Sequence, residues 1–350
     1  MTPYNYPHRK LHHLFNYHAM PLTTTPVENS VWGMGSEGAG TFVNCYLRYR
    51  NAKNYCQQPF DRFKNTNGNV YTLVSEKEKI EAAFVSSFQE MQHTPRSAYL
   101  LCGDSSRLPS IPDKSVDFVI TDPPYFDSIH YSELSNFFYV WLRSAVTHEY
   151  FSLPHVPTEA EAIVNQGMDK GEKEYQNLLA AVFAESGRVL KDRGKLIFTF
   201  HHTKWKPWWT VLQALIQSGF RVSESFPVMS EYKVNPHIRN KQSLDMDLVL
   251  ICEKKLFPCS MPGAKPSDVL LRTVEKLNSD IISSSDSKLF LHFMGELLKT
   301  AGLASENGMP DYEWFSESLA HFDDFLATVN RPVKTEKPAD PLRTQLIFFQ

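Results

Sequence analysis

Between residues 69 and 255 short apolar runs alternate with longer stretches in which apolar residues recur every three or four positions, a rhythm that predicts strands alternating with helices. Ser75 and Glu78 form a capping-box pair ahead of Ile80, Phe84, Phe88 and Met91 at helical spacing, so a helix is expected there. Ala98–Cys102 reads as a short strand ending in Gly103-Asp104, and Ser115–Thr121 as a second ending in Asp122-Pro123-Pro124-Tyr125. From Glu174 to Leu190, Leu178, Leu179, Val182, Phe183 and Val189 mark a helix face; Lys191-Asp192-Arg193-Gly194 stops it, and Lys195–Phe200 follows as a buried strand. Pro207 suits the start of a further helix faced by Val211, Leu212, Leu215 and Ile216, Gly219 ends it, and Phe220–Val228 is the next strand. Met246–Glu253 closes the series without an intervening helix, so an α/β sheet is predicted whose last strand runs antiparallel to its neighbour. Open sheets of this kind bind ligands at the carboxyl ends of their strands.

Outside this stretch the pattern changes. Residues 1–68 form an irregular, target-facing segment with one helix expected at Thr41–Tyr55, carrying Arg48, Arg50 and Lys53. Residues 256–330 predict a helical appendage, with helices at about Ser267–Ala304, broken by a serine-rich stretch, and Asp311–Val329; residues 331–350 read as a linker and loosely held tail.

A length of 350 residues with 42% hydrophobic and 21% charged residues describes an ordinary globular chain and excludes disordered and collagen-like readings. No run of roughly 18 apolar residues and no signal-peptide core is present, which predicts a cytoplasmic protein without a membrane partner. The five cysteines, Cys45, Cys56, Cys102, Cys252 and Cys259, are odd in number and never spaced as CxxC, arguing against a disulfide framework and against a metal site. A net charge of −3 offers no whole-protein basic field, so any nucleic-acid partner has to be gripped locally.

The informative stretch is Thr121-Asp122-Pro123-Pro124-Tyr125 after a strand. The two prolines lack N–H donors and hold the chain extended, which leaves acceptors pointing into a cleft. The Asp122 carboxylate and Pro123 carbonyl can each accept a hydrogen from an exocyclic amine, while Tyr125 offers a flat face for a flipped base. Such an amine is a poor nucleophile, and holding it against an electrophilic methyl sulfonium supplies positional catalysis without a strong base.

The segment LCGDSSRLPSIPDKSVDFVITDPPY, Leu101–Tyr125, resembles the core of the amino-methyltransferases that methylate adenine N6 or cytosine N4 in DNA with S-adenosyl-L-methionine. With the continuation FDSIHYSELSNFFYVWLR and the upstream ENSVWG, the chain is similar, over roughly Thr23–Lys254, to bacterial adenine-specific DNA methylases of the DUF1156-containing group associated with phage-defence and restriction-modification loci. The resemblance implies a Rossmann-like class I methyltransferase sheet. It implies Asp122, Pro123, Pro124 and Tyr125 as amine-binding catalytic positions, and Gly103, Asp104, Ser105 and Thr121 as cofactor-binding ones. Asp122 in place of serine points to adenine, and Phe126 is placed to wall the pocket.

The family's glycine-rich cofactor loop and its cysteine zinc ribbon are not found, and two strands that cradle the cofactor are not readable. One half of a split enzyme, or a truncated copy, whose missing strands come from a second subunit, is therefore the expectation. Gly33-Met34-Gly35-Ser36-Glu37-Gly38 matches GxGxxG, but PVENSVW before it is a poor buried strand and no acidic residue ends a second strand about 20 residues on, which favours a flexible turn or target-facing loop over a cofactor role. Asp104 can alternatively cap a helix; His201 and His202 stand at the strand-end edge as base contacts or ordinary rim residues; Trp205, Trp208 and Trp209 are stackers or packing. Lys233, Arg239 and Lys241, with His237, make the best local patch for DNA phosphates, or a solvated hairpin loop. RNA or protein-amide methylation, and a catalytically idle DNA-binding subunit, stand as alternatives.

Overall fold

The computed structural model describes residues 41–65, 67–74, 81–229, 246–255, 264–277, 286–304 and 312–328, with a few short stretches towards each terminus. The described residues form a mixed α/β chain with eight α-helices, parallel and antiparallel strand pairs, and no barrel. Two compact units, Met1–Cys102 and Gly103–Gln350, divide it, and the division falls inside the stretch that the strand–helix rhythm joins.

In the first unit β1 (Thr2–Asn5) pairs with β2 (Lys10–Leu11) and with β3 (Pro26–Val27). Helix α1 (Phe42–Gln57) falls where expected and precedes an antiparallel hairpin, β4 (Phe60–Lys64) with β5 (Val70–Val74). A parallel pair follows, β6 (Ala83–Val85) and β7 (Ser97–Tyr99), joined through α2 (Phe88–His93). The helix expected to run through Phe84 to Met91 is corrected: Phe84 and Val85 are extended, and the helix starts at Phe88. Ser87 Oγ accepts from the Glu90 N–H at 3.1 Å and Glu90 accepts from the Ser86 N–H at 2.9 Å, so this local cap outcompetes a longer helix. Ser75 and Glu78 lie outside the described residues.

The second unit runs β8 (Val116–Thr121), α3 (Tyr131–Ala145), α4 (Glu172–Val189), β9 (Leu190–Phe200), α5 (Trp205–Gln217), β10 (Phe220–Met229), β11 (Met246–Lys254), α6 (Pro266–Leu277), α7 (Asp286–Ala304) and α8 (Tyr312–Thr328). A short pair, β12 (Lys334–Thr335) and β13 (Leu346–Ile347), lies near the C-terminus. The main sheet has the order β10-β11-β9-β8, with β8 parallel to β9 and β11 antiparallel to both its neighbours. Lys191–Gly194, expected to separate helix from strand, instead belong to β9; the β8 pairing steps from Leu190 to Lys195 across them as an irregularity.

One face of this sheet is buried. Leu196, Phe198 and Phe200 of β9, Leu248, Leu250 and Cys252 of β11, and Phe220 and Val222 of β10 join residues of α4, α5 and α7 in one core. The Phe183 and Phe198 rings lie 5.2 Å apart, and Phe200 meets Trp208 edge-on at 4.9 Å. Burying each such side chain contributes about 1.5–3 kcal/mol. The C-terminal helices are not an appendage, because Phe290, Phe293, Phe315 and Phe322 belong to the same core. A Cβ at Gly295 of α7 would stand 2.2 Å from Ser225 Oγ, so glycine is what lets this helix lie directly on β10. Gly219 has φ +78°, the left-handed conformation that ends α5 and turns the chain into β10.

Arg188, at the end of α4, ties the loop before β8 into place. It bonds Glu185 and Asp113 and donates to the carbonyls of Leu108 at 2.9 Å and Ile111 at 3.0 Å, while Glu185 accepts from the Leu108 N–H at 2.6 Å. The Arg188 hydrogen bond holds the Glu185 carboxyl at about 2, below its ordinary 4.5. Because the folded value is depressed, this stabilisation is fully present above the unfolded value and is lost as pH falls from about 4.5 towards 2. Glu185→Gln is therefore expected to flatten the pH dependence of the denaturation midpoint across that window, and an unchanged slope would contradict the linkage.

Candidate functional site

The site lies at the carboxyl ends of β8 and β9, where the two parallel strands deliver Asp122 and Thr199 side by side. Asp122 Oδ1 accepts from Tyr125 Oη at 2.7 Å and from Thr199 Oγ1. Tyr125 Oη also lies 2.9 Å from Thr199 Oγ1 and 3.4 Å from Asp247 Oδ2. Burial raises the Tyr125 hydroxyl well above its ordinary range, with the Asp122 and Asp247 carboxylates adding to the shift, so it remains a neutral donor. Among the described residues neither Asp122 Oδ2 nor the Pro123 carbonyl oxygen receives a hydrogen bond. The network thus fixes one carboxylate oxygen and leaves the other, with a backbone acceptor one residue on, for an incoming donor.

The turn after the motif is anchored from behind. Phe126 has φ +54° and is only 8% exposed, packed edge-on to Tyr175 at 5.3 Å and to His202 at 5.9 Å. It is thus an anchor of the loop rather than a wall of an open pocket, correcting the expectation for this residue. Its carbonyl accepts from the Val164 N–H at 2.8 Å, and the fully buried Tyr175 donates its hydroxyl to the Pro124 carbonyl at 3.1 Å. Glu161 caps the start of α3 through Ser132, and the buried Lys170 donates to the Thr158 carbonyl at 3.0 Å and the Glu159 carbonyl at 3.2 Å. Tyr131, the first residue of α3, has its hydroxyl raised by burial and by the nearby Asp122 and Glu161 charges.

The two histidines take different parts. His202 Nδ1 accepts from the Lys204 N–H at 3.0 Å, which places the ring proton on Nε2, facing Asp127 at 3.2 Å. That bond lowers the Asp127 carboxyl. The His202 carbonyl accepts from Trp208 Nε1 at 2.9 Å, so this residue braces the rim. His201 Nδ1 bonds Asp247 Oδ1, and its ring meets Tyr125 at 4.7 Å between centroids, bringing His201 into the Asp122 network through Asp247.

Sequence reasoning missed Thr199 and Asp247. The available signal was a polar residue inside an otherwise apolar strand, Thr199 in KLIFTF and Asp247 in MDLVLICE. Trp205 and Trp208 are buried, and Trp205 and Trp209 pack against Tyr312 and Phe315, which makes this cluster core packing rather than a stacking platform. Lys233, Arg239 and Lys241 lie outside the described residues.

Of the expected cofactor positions, Gly103, Asp104 and Ser105 are exposed residues of the loop ahead of β8. A Cβ at Gly103 would meet nothing within 4 Å; Asp104, an exposed loop residue, spends its Oδ1 on the Ser106 N–H at 2.8 Å and on Ser106 Oγ at 2.7 Å. That is an Asx turn rather than a helix cap. Ser105 is exposed, and Thr121 ends the edge strand β8. Within this unit the described residues offer an acceptor pair at the strand end, Asp122 Oδ2 and the Pro123 carbonyl, and no closed cradle around Gly103, Asp104, Ser105 and Thr121. No group of three or more metal-ligating side chains occurs among the described residues. Nor is any of their helices long and apolar enough to cross a membrane.

No protein-family model matches the chain, and no curated protein sequence matches it. Tyr175→Phe removes one buried hydrogen bond to the motif and is expected to cost about 1 kcal/mol in urea denaturation. An unchanged midpoint would show that Pro124 is not held from behind.

Proposed function

We propose that this chain is the target-amine half of an S-adenosylmethionine-dependent DNA adenine N6-methyltransferase of a restriction-modification or phage-defence locus, built on a Rossmann-like class I sheet. The observation that carries the reading is the pair of unengaged acceptors, Asp122 Oδ2 and the Pro123 carbonyl, at the end of a parallel strand. An exocyclic amine has two N–H groups and no charge, and this pair accepts both. Accepting both hydrogens concentrates lone-pair density on the nitrogen and fixes its direction of attack. Asp122 then accepts part of the positive charge that develops on the amine, while Thr199 and Tyr125 keep its carboxylate from rotating. The half-buried Tyr125 ring, held edge-on by Phe200 at 5.3 Å and by His201, supports the flipped base.

The reaction is tested by transfer of labelled methyl groups from S-adenosylmethionine to DNA, RNA and protein, using the protein isolated with its native partners from its own host. Label at adenine N6 of DNA is the expected result, and label confined to RNA or protein would replace the substrate. Asp122→Ala is expected to lower the transfer rate by about 10²-fold or more with no change in thermal unfolding. Retained activity would refute the role of Asp122. DNA binding is expected to rest on the Tyr232–Lys241 segment, so replacing Lys233, Arg239 and Lys241 together by Ala should reduce the slope of log affinity against log salt by about 3. An unchanged slope would remove that segment from the DNA contact.

A further inference from the structure

Helix α1 of the first unit buries none of its 16 residues and contains no acidic side chain. Isolated helices of that length are marginal in water, and this one draws little stability from a core. One stripe of it carries Phe42, Tyr46, Tyr49, Arg50 and Lys53 at helical spacing. Phe42 is 56% exposed, Tyr46 54% and Tyr49 63%. Trp32 stacks on Phe42 with ring centroids 5.1 Å apart, and the Lys53 ammonium stands 5.5 Å from the centroid of the Tyr49 ring. Aromatic faces therefore lead along the helix into two cations. The β4–β5 hairpin, which meets α1 where Tyr55 packs edge-on to Phe60 at 5.1 Å, adds Arg62 and Lys64 on one of its faces.

The charge is as uneven as the exposure. Residues 41–74 hold five cations, Arg48, Arg50, Lys53, Arg62 and Lys64, against the single carboxylate of Asp61, a net +4 in a chain whose total is −3. All five cations are exposed, and among the described residues none is in an ion pair. The flanking stretches bring no counter-charge. In 1–40 Glu28 and Glu37 balance Arg9 and Lys10, and in 75–80 Glu76 and Glu78 balance Lys77 and Lys79. An apolar protein segment laid on this stripe would strand Arg50 and Lys53 without partners, at a cost that burial of the rings does not offset. A nucleic-acid strand meets both demands at once, with phosphates for the cations and base faces for the rings. In a duplex those base faces are already stacked on one another, so rings interleaved with cations suit a single strand.

We infer that the Phe42–Lys53 stripe of α1 binds single-stranded DNA, with Tyr46 and Tyr49 stacking on bases and Arg50 and Lys53 holding the phosphates between them. Arg48, Arg62 and Lys64 add to the positive field that draws the strand in. The inference goes beyond the proposed function by giving the first unit a nucleic-acid grip of its own. Only the choice of DNA over RNA rests on that reading.

Fluorescence anisotropy of the full chain with a short mixed-sequence single strand of DNA tests it across a range of salt concentrations. Replacing Arg50 and Lys53 together by Gln is expected to reduce the slope of log affinity against log salt by about 1.4. Tyr49→Ala is expected to weaken binding about fivefold or more with the slope unchanged, a loss that removal of charge does not produce. Thermal unfolding stays unaltered in both variants, because neither touches a core. The absence of binding, an unchanged slope in the double variant or an unchanged affinity in Tyr49→Ala overturns the inference. So does tighter binding of the duplex, tighter binding of RNA of the same sequence, or equal binding of polyglutamate. Labelled-methyl transfer measured on the same preparations separates this surface from the reaction. Binding that responds as expected without any transfer upholds the surface and refutes the methyltransferase reading; transfer to DNA with both variants binding normally does the reverse.

Discussion

Burial of one face of the β10-β11-β9-β8 sheet under α4, α5 and α7 is the constraint from which the rest of the second unit follows. With side chains alternating across each strand, seating Leu196, Phe198 and Phe200 in the core obliges Lys195, Ile197 and Thr199 to face the other way. Thr199 therefore reaches the strand end on the side away from that core, beside Asp122, and Asp247 reaches the same place from β11. The polar cluster is thus a by-product of register. A slip of one residue in β9 would bury Thr199 and detach Asp122 from its anchor.

The anchoring of Asp122 also fixes the direction of the acceptors of the Asp-Pro-Pro-Tyr turn. A lone carboxylate at a strand end rotates freely and accepts from water. Here Tyr125 and Thr199 commit one oxygen, and among the described residues nothing donates to the Pro123 carbonyl. Tyr175 and Phe126 hold the far side of the turn against the core. The acceptor pair is preorganised by contacts that are themselves buried or half-buried.

Much of this fold is legible in the chain because the strands and helices of the second unit are periodic and punctuated. Gly219 ends α5 and Pro207 sits in its first turn, and the antiparallel last strand follows from the missing helix before it. The helix expected through Phe84 failed because its apolar spacing suited a helix while the Ser86-Ser87 pair supplied a cap further along. The C-terminal helices looked separable because their amphipathic faces say only that they are covered, and the close approach at Gly295 that seats α7 on β10 leaves no local signature. Asp122 and Tyr125 were visible through their motif, whereas Thr199 and Asp247 became functional candidates only when pairing across β9 and β11 brought distant segments together.

The left-handed conformation of Phe126 divides the turn into two halves with separate fates. Outward lie Asp122 and the Pro123 carbonyl, on which no core contact depends; inward lie Phe126, Tyr175 and His202, on which the fold does. On the proposed function, a lineage that lost the reaction would be free to shed the first set while keeping the second. Such a chain would retain the shape of the turn as a fossil, marked by a changed side chain at position 122.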